Sequence, residues 1–196
     1  MAAPLDVTKK IPPAYPELGR LLSLGLETDD LDAQAMIAVL RSAAGVRERH
    51  GVSSANHMAR EALWDCWERP RLPKPLVSGK YPKTWPWSPD ARRLYELSKG
   101  KRPKKGGWGF VLEHVAPRGL VVTSLIDASI ELSSAEFVEK LRLDMRGAVI
   151  TKQDDEKLFE AKVARSYPDG VDPVTQPWSR YEHAGLDPAT FAPLTM

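Results

Sequence analysis

Apolar residues recur every three to four positions through the first third of the chain, a spacing that predicts amphipathic helices. Residues 16–27 carry leucines on one helical face, after a proline at a favourable helix start. Residues 29–50 begin with acidic side chains and end with basic ones, which suits the helix dipole. Their apolar positions form a stripe of Ala33, Met36, Ile37, Leu40 and Ala44. A third helix is predicted over 54–69, with Ser53 or Ser54 as its N-terminal cap and Pro70 as its end.

Prolines interrupt this pattern between residues 70 and 90. The segment contains six of them, which excludes a long helix or a central strand. We expect an extended connector that Trp85 and Trp87 anchor to a domain surface. A short helix is predicted after Ser88, with a proline in its first turn and Gly100 near its end.

The second half of the chain mixes strand and helix signals. Residues 108–115 and 148–151 are apolar runs of strand length, whereas 118–132 fit either a helix or a strand. Ser133 and Glu136 match a capping box, the pairing of side chains and backbone that starts many helices. A further amphipathic helix is predicted over 152–167, with Thr151 as its cap and acidic residues in its first turns.

These elements predict an α+β protein in three parts. A helical N-terminal part covers residues 1–68, a basic proline-rich connector covers 69–105, and a smaller mixed α/β part with an irregular tail covers 106–196. Lys and Arg outnumber Asp and Glu by 12 to 2 in the connector, a net charge of +10, whereas the flanking parts carry −3 and −5. The charge pattern therefore indicates a partner more strongly than it indicates a reaction.

The connector is the first candidate for function, because clustered cations bind a phosphate backbone by releasing its counterions and aromatic rings can stack on bases. The sequence therefore predicts DNA or RNA as the partner. Two alternatives remain: a solvated loop that keeps the protein in solution, and a surface for an acidic protein. The candidate nucleic-acid-binding residues are Arg92, Arg93, Lys99, Lys101, Arg102, Lys104, Lys105 and Trp108.

An adjacent acid and imidazole, Glu113 and His114, are the second candidate. An imidazole titrates near neutral pH and can act as a general base toward water. A carboxylate can hold a hard cation such as Mg²⁺. Successive side chains of a strand point to opposite faces, so a turn would be needed to bring these two together. The alternative is a structural histidine beside a surface glutamate.

The stretch "FVLEHVAP" at residues 110–117 resembles the opening of the HNH nucleases, in which a strand ends in an acid-His pair with a proline nearby. The resemblance implies a ββα-metal fold and metal-dependent cleavage of nucleic acid. Glu113 would then be the metal-side acid, His114 the base, and Asp154 or Asp155 the second metal ligand. The family's middle asparagine and final histidine have no counterpart at the expected positions. A non-catalytic binding module, such as a regulatory or defence-related accessory factor, is the alternative.

Other features narrow the class of protein. The single cysteine, Cys66, cannot form an internal disulfide and is expected to be a buried thiol. Four scattered histidines and one cysteine do not match a structural zinc site. No stretch approaches eighteen consecutive apolar residues and no secretory signal is recognisable. We therefore expect a cytoplasmic protein with no membrane partner. The tail residues Arg180 and His183 could bring a cation and an imidazole beside the candidate site.

Overall fold

Helices dominate the structure, and short strands pair in two small sheets. The computed structural model describes residues 28–101, 107–144 and 146–194. Up to residue 101 its elements are α1 (Thr28–His50), α2 (Val52–Ala62), a π-helical stretch (Leu63–Glu68), α3 (Arg69–Arg71), β1 (Leu76–Val77), β2 (Tyr81–Pro82) and α4 (Pro89–Leu97). The later elements are β3 (Phe110–His114), α5 (Arg118–Ala128), α6 (Ser134–Asp144), β4 (Gly147–Thr151), α7 (Lys152–Glu160), α8 (Ser179–His183) and a 3₁₀ turn (Pro188–Thr190).

This content confirms the predicted α+β class with a helical N-terminal part. The helix predicted over 16–27 lies outside the described residues, as do Arg102, Lys104 and Lys105. Within the described ranges, no helix combines the length and the apolar character needed to cross a bilayer.

The chain divides into two compact units. As far as its residues are described, the first unit comprises the chain up to Trp67 together with Val122–Leu141, and the second comprises Glu68–Val121 and the chain from Arg142 onward. The sequence-based division at residues 68 and 105 stays a prediction. The proline-rich segment belongs to the second unit because Trp87 is fully buried in that unit's aromatic cluster.

In the first unit, α1 buries the predicted stripe. Ala33, Met36, Ile37 and Leu40 are all buried, although Ala43 takes the buried position expected for Ala44. The next helix starts earlier than predicted and has no serine cap. Gly51 separates α1 from α2 with a φ of 85°, a left-handed conformation that lets the chain leave one helix and enter the next at once.

The helix that begins with α2 also runs further than predicted. It continues through the π-helical stretch Leu63–Glu68 and ends at Arg71, one residue beyond Pro70. Pro70 lies in the short helix α3, whose last residue is Arg71. Cys66 lies in the π-helical stretch and is half-buried rather than buried.

Residues 118–132, which fit either structure by sequence, form a helix over Arg118–Ala128. Val122, Leu125 and Ile126 are buried, and their spacing of three and four residues places them on one helical face. Burial of that face therefore outweighs the strand preference of the valines. The capping box of the following helix is confirmed, since the Glu136 N–H donates to Ser133 Oγ over 3.3 Å and the Ser133 N–H donates to Glu136 Oε2 over 2.9 Å.

In the second unit, β3 and β4 pair antiparallel, as the two predicted strands allow. The register sets Phe110 opposite Thr151 and His114 opposite Gly147. The backbone beside Trp87 bonds to β4, because the Val149 N–H donates to Pro86 O over 2.8 Å and the Ser88 N–H donates to Val149 O over 2.9 Å. Trp87 also exchanges two backbone hydrogen bonds with Ala192, of 3.0 and 3.1 Å.

Helix α7 starts as predicted but is shorter than predicted. Thr151 accepts from the Asp154 N–H, and Asp154 accepts from the Thr151 N–H, which completes a capping box. The helix ends at Glu160 instead of continuing to residue 167, because Lys162 adopts a φ of 60° and turns the chain. The carbonyl groups that follow, of Val163 and Ala164, are then available to a side chain from the tail.

Candidate functional site

The two candidate catalytic residues diverge from the same strand. Glu113 and His114 are consecutive in β3, opposite Ala148 and Gly147 of β4. Neighbouring side chains of a strand lie on opposite faces of the sheet. No turn intervenes, since the strand extends through His114. Each side chain is consequently engaged by a different partner.

His114 is buried and contacts an acid from the helical segment that opens the second unit. Its Nε2 lies 2.8 Å from Glu68 Oε2. The other carboxylate oxygen, Glu68 Oε1, accepts from Arg118 Nη2 over 3.0 Å. Glu68 is thus a buried carboxylate between an imidazole and a guanidinium. A general base at His114 would have to use Nδ1, because Nε2 faces Glu68.

Glu113 is held by Arg180, the tail residue that the sequence offered as a nearby cation. Arg180 Nη2 donates to Glu113 Oε1 over 3.0 Å, and the Arg180 side chain is fully buried. The remaining donors of the guanidinium serve main-chain carbonyls: Val163 O at 2.7 Å, Ala164 O at 2.9 Å, His114 O at 3.0 Å and Val115 O at 3.1 Å. The other tail candidate, His183, is exposed.

Burial governs the protonation of the groups around Arg180. It raises the pKa of Glu113 above the ordinary value, although the charge and hydrogen bond of Arg180 act in the opposite direction. Burial also raises the pKa of Asp155, again opposed by Arg180. The pKa of Tyr181, which is fully buried, is raised well above its ordinary value by burial and then by the charge of Glu113. These shifts favour the neutral forms of the two acids.

Two of the three residues predicted to hold a metal, Asp154 and Glu113, have other contacts, and the third, Asp155, is half-buried. Asp154 is buried, and its Oδ2 accepts from Ser88 Oγ over 2.8 Å and from the Thr151 N–H over 3.1 Å. Glu113 already faces the cationic Arg180, which would repel a second cation. Within the described ranges, no group of three or more His, Cys, Asp or Glu side chains is placed to hold a metal ion. The Mg²⁺ ion that the resemblance implies therefore stays a prediction.

The candidate nucleic-acid-binding residues differ in exposure. Arg93, Lys99 and Lys101 are exposed, whereas Arg92 is half-buried and donates from Nη2 to Thr190 O over 3.0 Å. Trp108 is buried in the aromatic cluster. The other three candidates are the cations at 102, 104 and 105, outside the described residues.

Two basic segments of the second unit, 80–83 and 99–101, approach Tyr95 in α4. The Lys83 ammonium lies 5.9 Å from the centroid of that ring. Gly100, between Lys99 and Lys101, approaches so closely that a Cβ there would lie 3.1 Å from Tyr95 Oη. We define the basic surface as Lys80, Lys83, Arg93, Lys99 and Lys101. In the part of the chain that the structure describes, no salt bridge joins any of these five to a carboxylate.

Scans of this chain against protein-family models, curated proteins and solved structures each return no match. The resemblance of residues 110–117 to HNH nucleases thus stays a prediction. Glu68, whose carboxylate contacts His114 Nε2, was not among the candidates from the sequence. It is 46 positions away in the chain, and no local pattern marks such a pairing.

Proposed function

We propose that this protein binds nucleic acid through the basic surface of its second unit, as a non-catalytic binding module. The observation that carries the proposal is the set of five cations without a carboxylate partner among the described residues. Cations in ion pairs would have to break those pairs to reach phosphates, whereas these five do not. Binding to phosphates would release condensed counterions, which is the main source of affinity in such contacts.

The distribution of charge between the two units supports the same proposal. The residues of the second unit include 20 Lys and Arg against 13 Asp and Glu, a net charge of +7. Those of the first unit include 8 basic and 13 acidic residues, a net charge of −5. A polyanion would therefore be attracted to one unit and repelled by the other. The same charge would also attract an acidic protein, which the experiment below includes as a competitor.

The nuclease hypothesis is kept as the alternative, with a role for Glu113 and His114. Two contacts count against it: Glu113 is paired with Arg180, and His114 Nε2 faces Glu68. A single metal-activated water would need both side chains near one point, whereas β3 directs them to opposite faces. Binding without cleavage is therefore the function that this geometry supports best.

The test is fluorescence anisotropy of labelled DNA titrated with the full chain at several salt concentrations. The test variant changes Arg93, Lys99 and Lys101 to Gln, and the matched control changes the exposed cations Lys152, Lys162 and Arg165 to Gln. Both variants lose three charges from the same unit. We expect only the test variant to lower the slope of log affinity against log salt, by about 2.7 if each cation neutralises one phosphate.

Four outcomes would revise the proposal. Absence of DNA and RNA binding at low salt would overturn it. Equal losses in both variants would show that total charge, rather than the basic surface, attracts the polyanion. Displacement of DNA by an acidic peptide at equal charge concentration would favour a protein partner. Cleavage that needs Mg²⁺ or Mn²⁺ and is lost in His114→Ala would restore the nuclease hypothesis.

A further inference from the structure

The aromatic residues interleaved with the basic surface are packed against one another. Trp87 is fully buried, and its ring centroid lies 5.1 Å from that of Phe110. Trp108 is only 9% exposed. Phe110 stacks on it at 5.5 Å with an interplanar angle of 15°, and Tyr95 stacks on it at 6.0 Å with an angle of 30°. The two tryptophans are therefore engaged within the protein.

The rings of Tyr81 and Trp85 also contact other groups of the protein. The Lys80 ammonium lies 5.6 Å from the centroid of Tyr81, and Tyr81 Oη donates to Phe110 O over 3.1 Å. Trp85 packs directly on Gly147, where a Cβ would lie 2.1 Å from a ring carbon. Residues 102–106, outside the described part, contain no aromatic side chain. Segment 69–108 thus carries the cations of the basic surface, whereas its described aromatic rings pack against other groups of the protein.

This combination discriminates between two kinds of nucleic acid. Proteins that hold single strands combine cations with open aromatic rings, and each stacked base contributes about 1–3 kcal/mol. In a duplex the bases already stack on each other, and the phosphates of two strands lie at twice the linear charge density of one. A surface with cations, whose aromatic rings are buried or half-buried against other groups of the protein, suits the second partner.

We propose that the basic surface binds double-stranded nucleic acid through its phosphates, without reading base sequence. This inference rests on the proposed function and adds the class of ligand to it. The lysines over Tyr81 and Tyr95 would contribute to phosphate binding. The Lys80 and Lys83 ammonium groups lie over these rings, which restrains the lysine side chains, so less side-chain freedom is lost when a phosphate is bound.

The experiment compares a labelled 24-base-pair DNA duplex with each of its single strands, using the full chain in the same buffers. We expect tighter binding to the duplex at every salt concentration. If each of the five cations neutralises one phosphate, the salt slope is about 4.5 for the duplex and about 3.5 for a single strand. A second duplex of different base sequence should bind within twofold of the first. Tryptophan fluorescence should change little on binding, because the rings stay packed.

The outcomes separate this inference from the proposed function. Tighter binding to single strands, with quenched tryptophan fluorescence, would overturn the duplex inference and leave nucleic-acid binding in place. Discrimination of more than tenfold between duplex sequences would overturn the phosphate-only part. Absence of binding to every probe would overturn both. Phe159 is exposed at 71% in α7, so Phe159→Ala serves as a control. A loss of single-strand affinity in that variant would indicate stacking outside the basic surface.

Discussion

Removal of Arg180 should cost more stability than any other single truncation in the tail. Its guanidinium is fully buried and donates to four main-chain carbonyls and to the Glu113 carboxylate. Loss of one partner from a buried ion pair typically costs about 3–5 kcal/mol. Each buried carbonyl left without a donor adds about 1–3 kcal/mol unless water replaces the lost donor. Water can enter the space that Arg180→Ala leaves and replace the lost donors to the carbonyls, so we expect a loss of about 4 kcal/mol, which is the cost of the broken ion pair alone.

The assay is urea denaturation at neutral pH, followed by tryptophan fluorescence and far-UV circular dichroism. The matched control is Arg165→Ala, which removes an exposed arginine and should change stability by no more than about 0.5 kcal/mol. Arg180→Lys keeps the positive charge but lacks the five N–H donors of the guanidinium. Its loss of stability should therefore lie between those of Arg165→Ala and Arg180→Ala. A decrease below about 1 kcal/mol for Arg180→Ala would refute the reasoning, since it falls under the cost of one orphaned carbonyl. If Arg180→Ala does not fold, Arg180→Lys supplies the measurement.

Three further predictions follow from the second unit. Gly147→Ala should destabilise the protein by about 1–3 kcal/mol in urea denaturation, because a Cβ would lie 2.1 Å from the ring of Trp85. Unchanged stability would mean that this ring is free to move. Asp154→Ala should cost about 2 kcal/mol, because it removes the carboxylate that accepts from the Thr151 N–H in the capping box and from Ser88 Oγ. An unchanged unfolding midpoint would contradict this. Because burial raises the pKa of Glu113 above 4.5, the folded state keeps this proton to higher pH than the unfolded state, and stability falls as pH rises from 4.5 through the folded pKa. Glu113→Gln should therefore show a shallower decline of urea midpoints with pH, and an unaltered slope would refute that assignment.

Short-range signals in the sequence were sufficient for the caps and for much of the secondary structure. Ser88, Thr151 and the pair Ser133 and Glu136 all cap helices as predicted. A cap depends on atoms three residues apart, so the local sequence contains the information that specifies it. The alternation of side chains along a strand likewise indicated that Glu113 and His114 would not converge without a turn.

The side chains that pair with Glu113 and His114 could not be predicted from local sequence. Glu113 pairs with a residue 67 positions away, and His114 pairs with one 46 positions away. Such pairs depend on how helices and strands pack, and one sequence contains no periodic signal for them. The proline-rich segment was difficult for a related reason. Its composition excludes regular structure, but it does not show that Trp87 would be fully buried in a core.

The backbone hydrogen bonds between Trp87 and Ala192 have a consequence for the order of events during synthesis. They join residues 105 positions apart, and the nearby Leu194 is buried in the same aromatic cluster. Contacts across so long a stretch of chain form slowly, because loop closure costs entropy before the contact can compensate for it. The aromatic core of the second unit therefore cannot be completed until the ribosome has released almost the whole described chain. Until then, its tryptophans are surfaces that a chaperone would recognise.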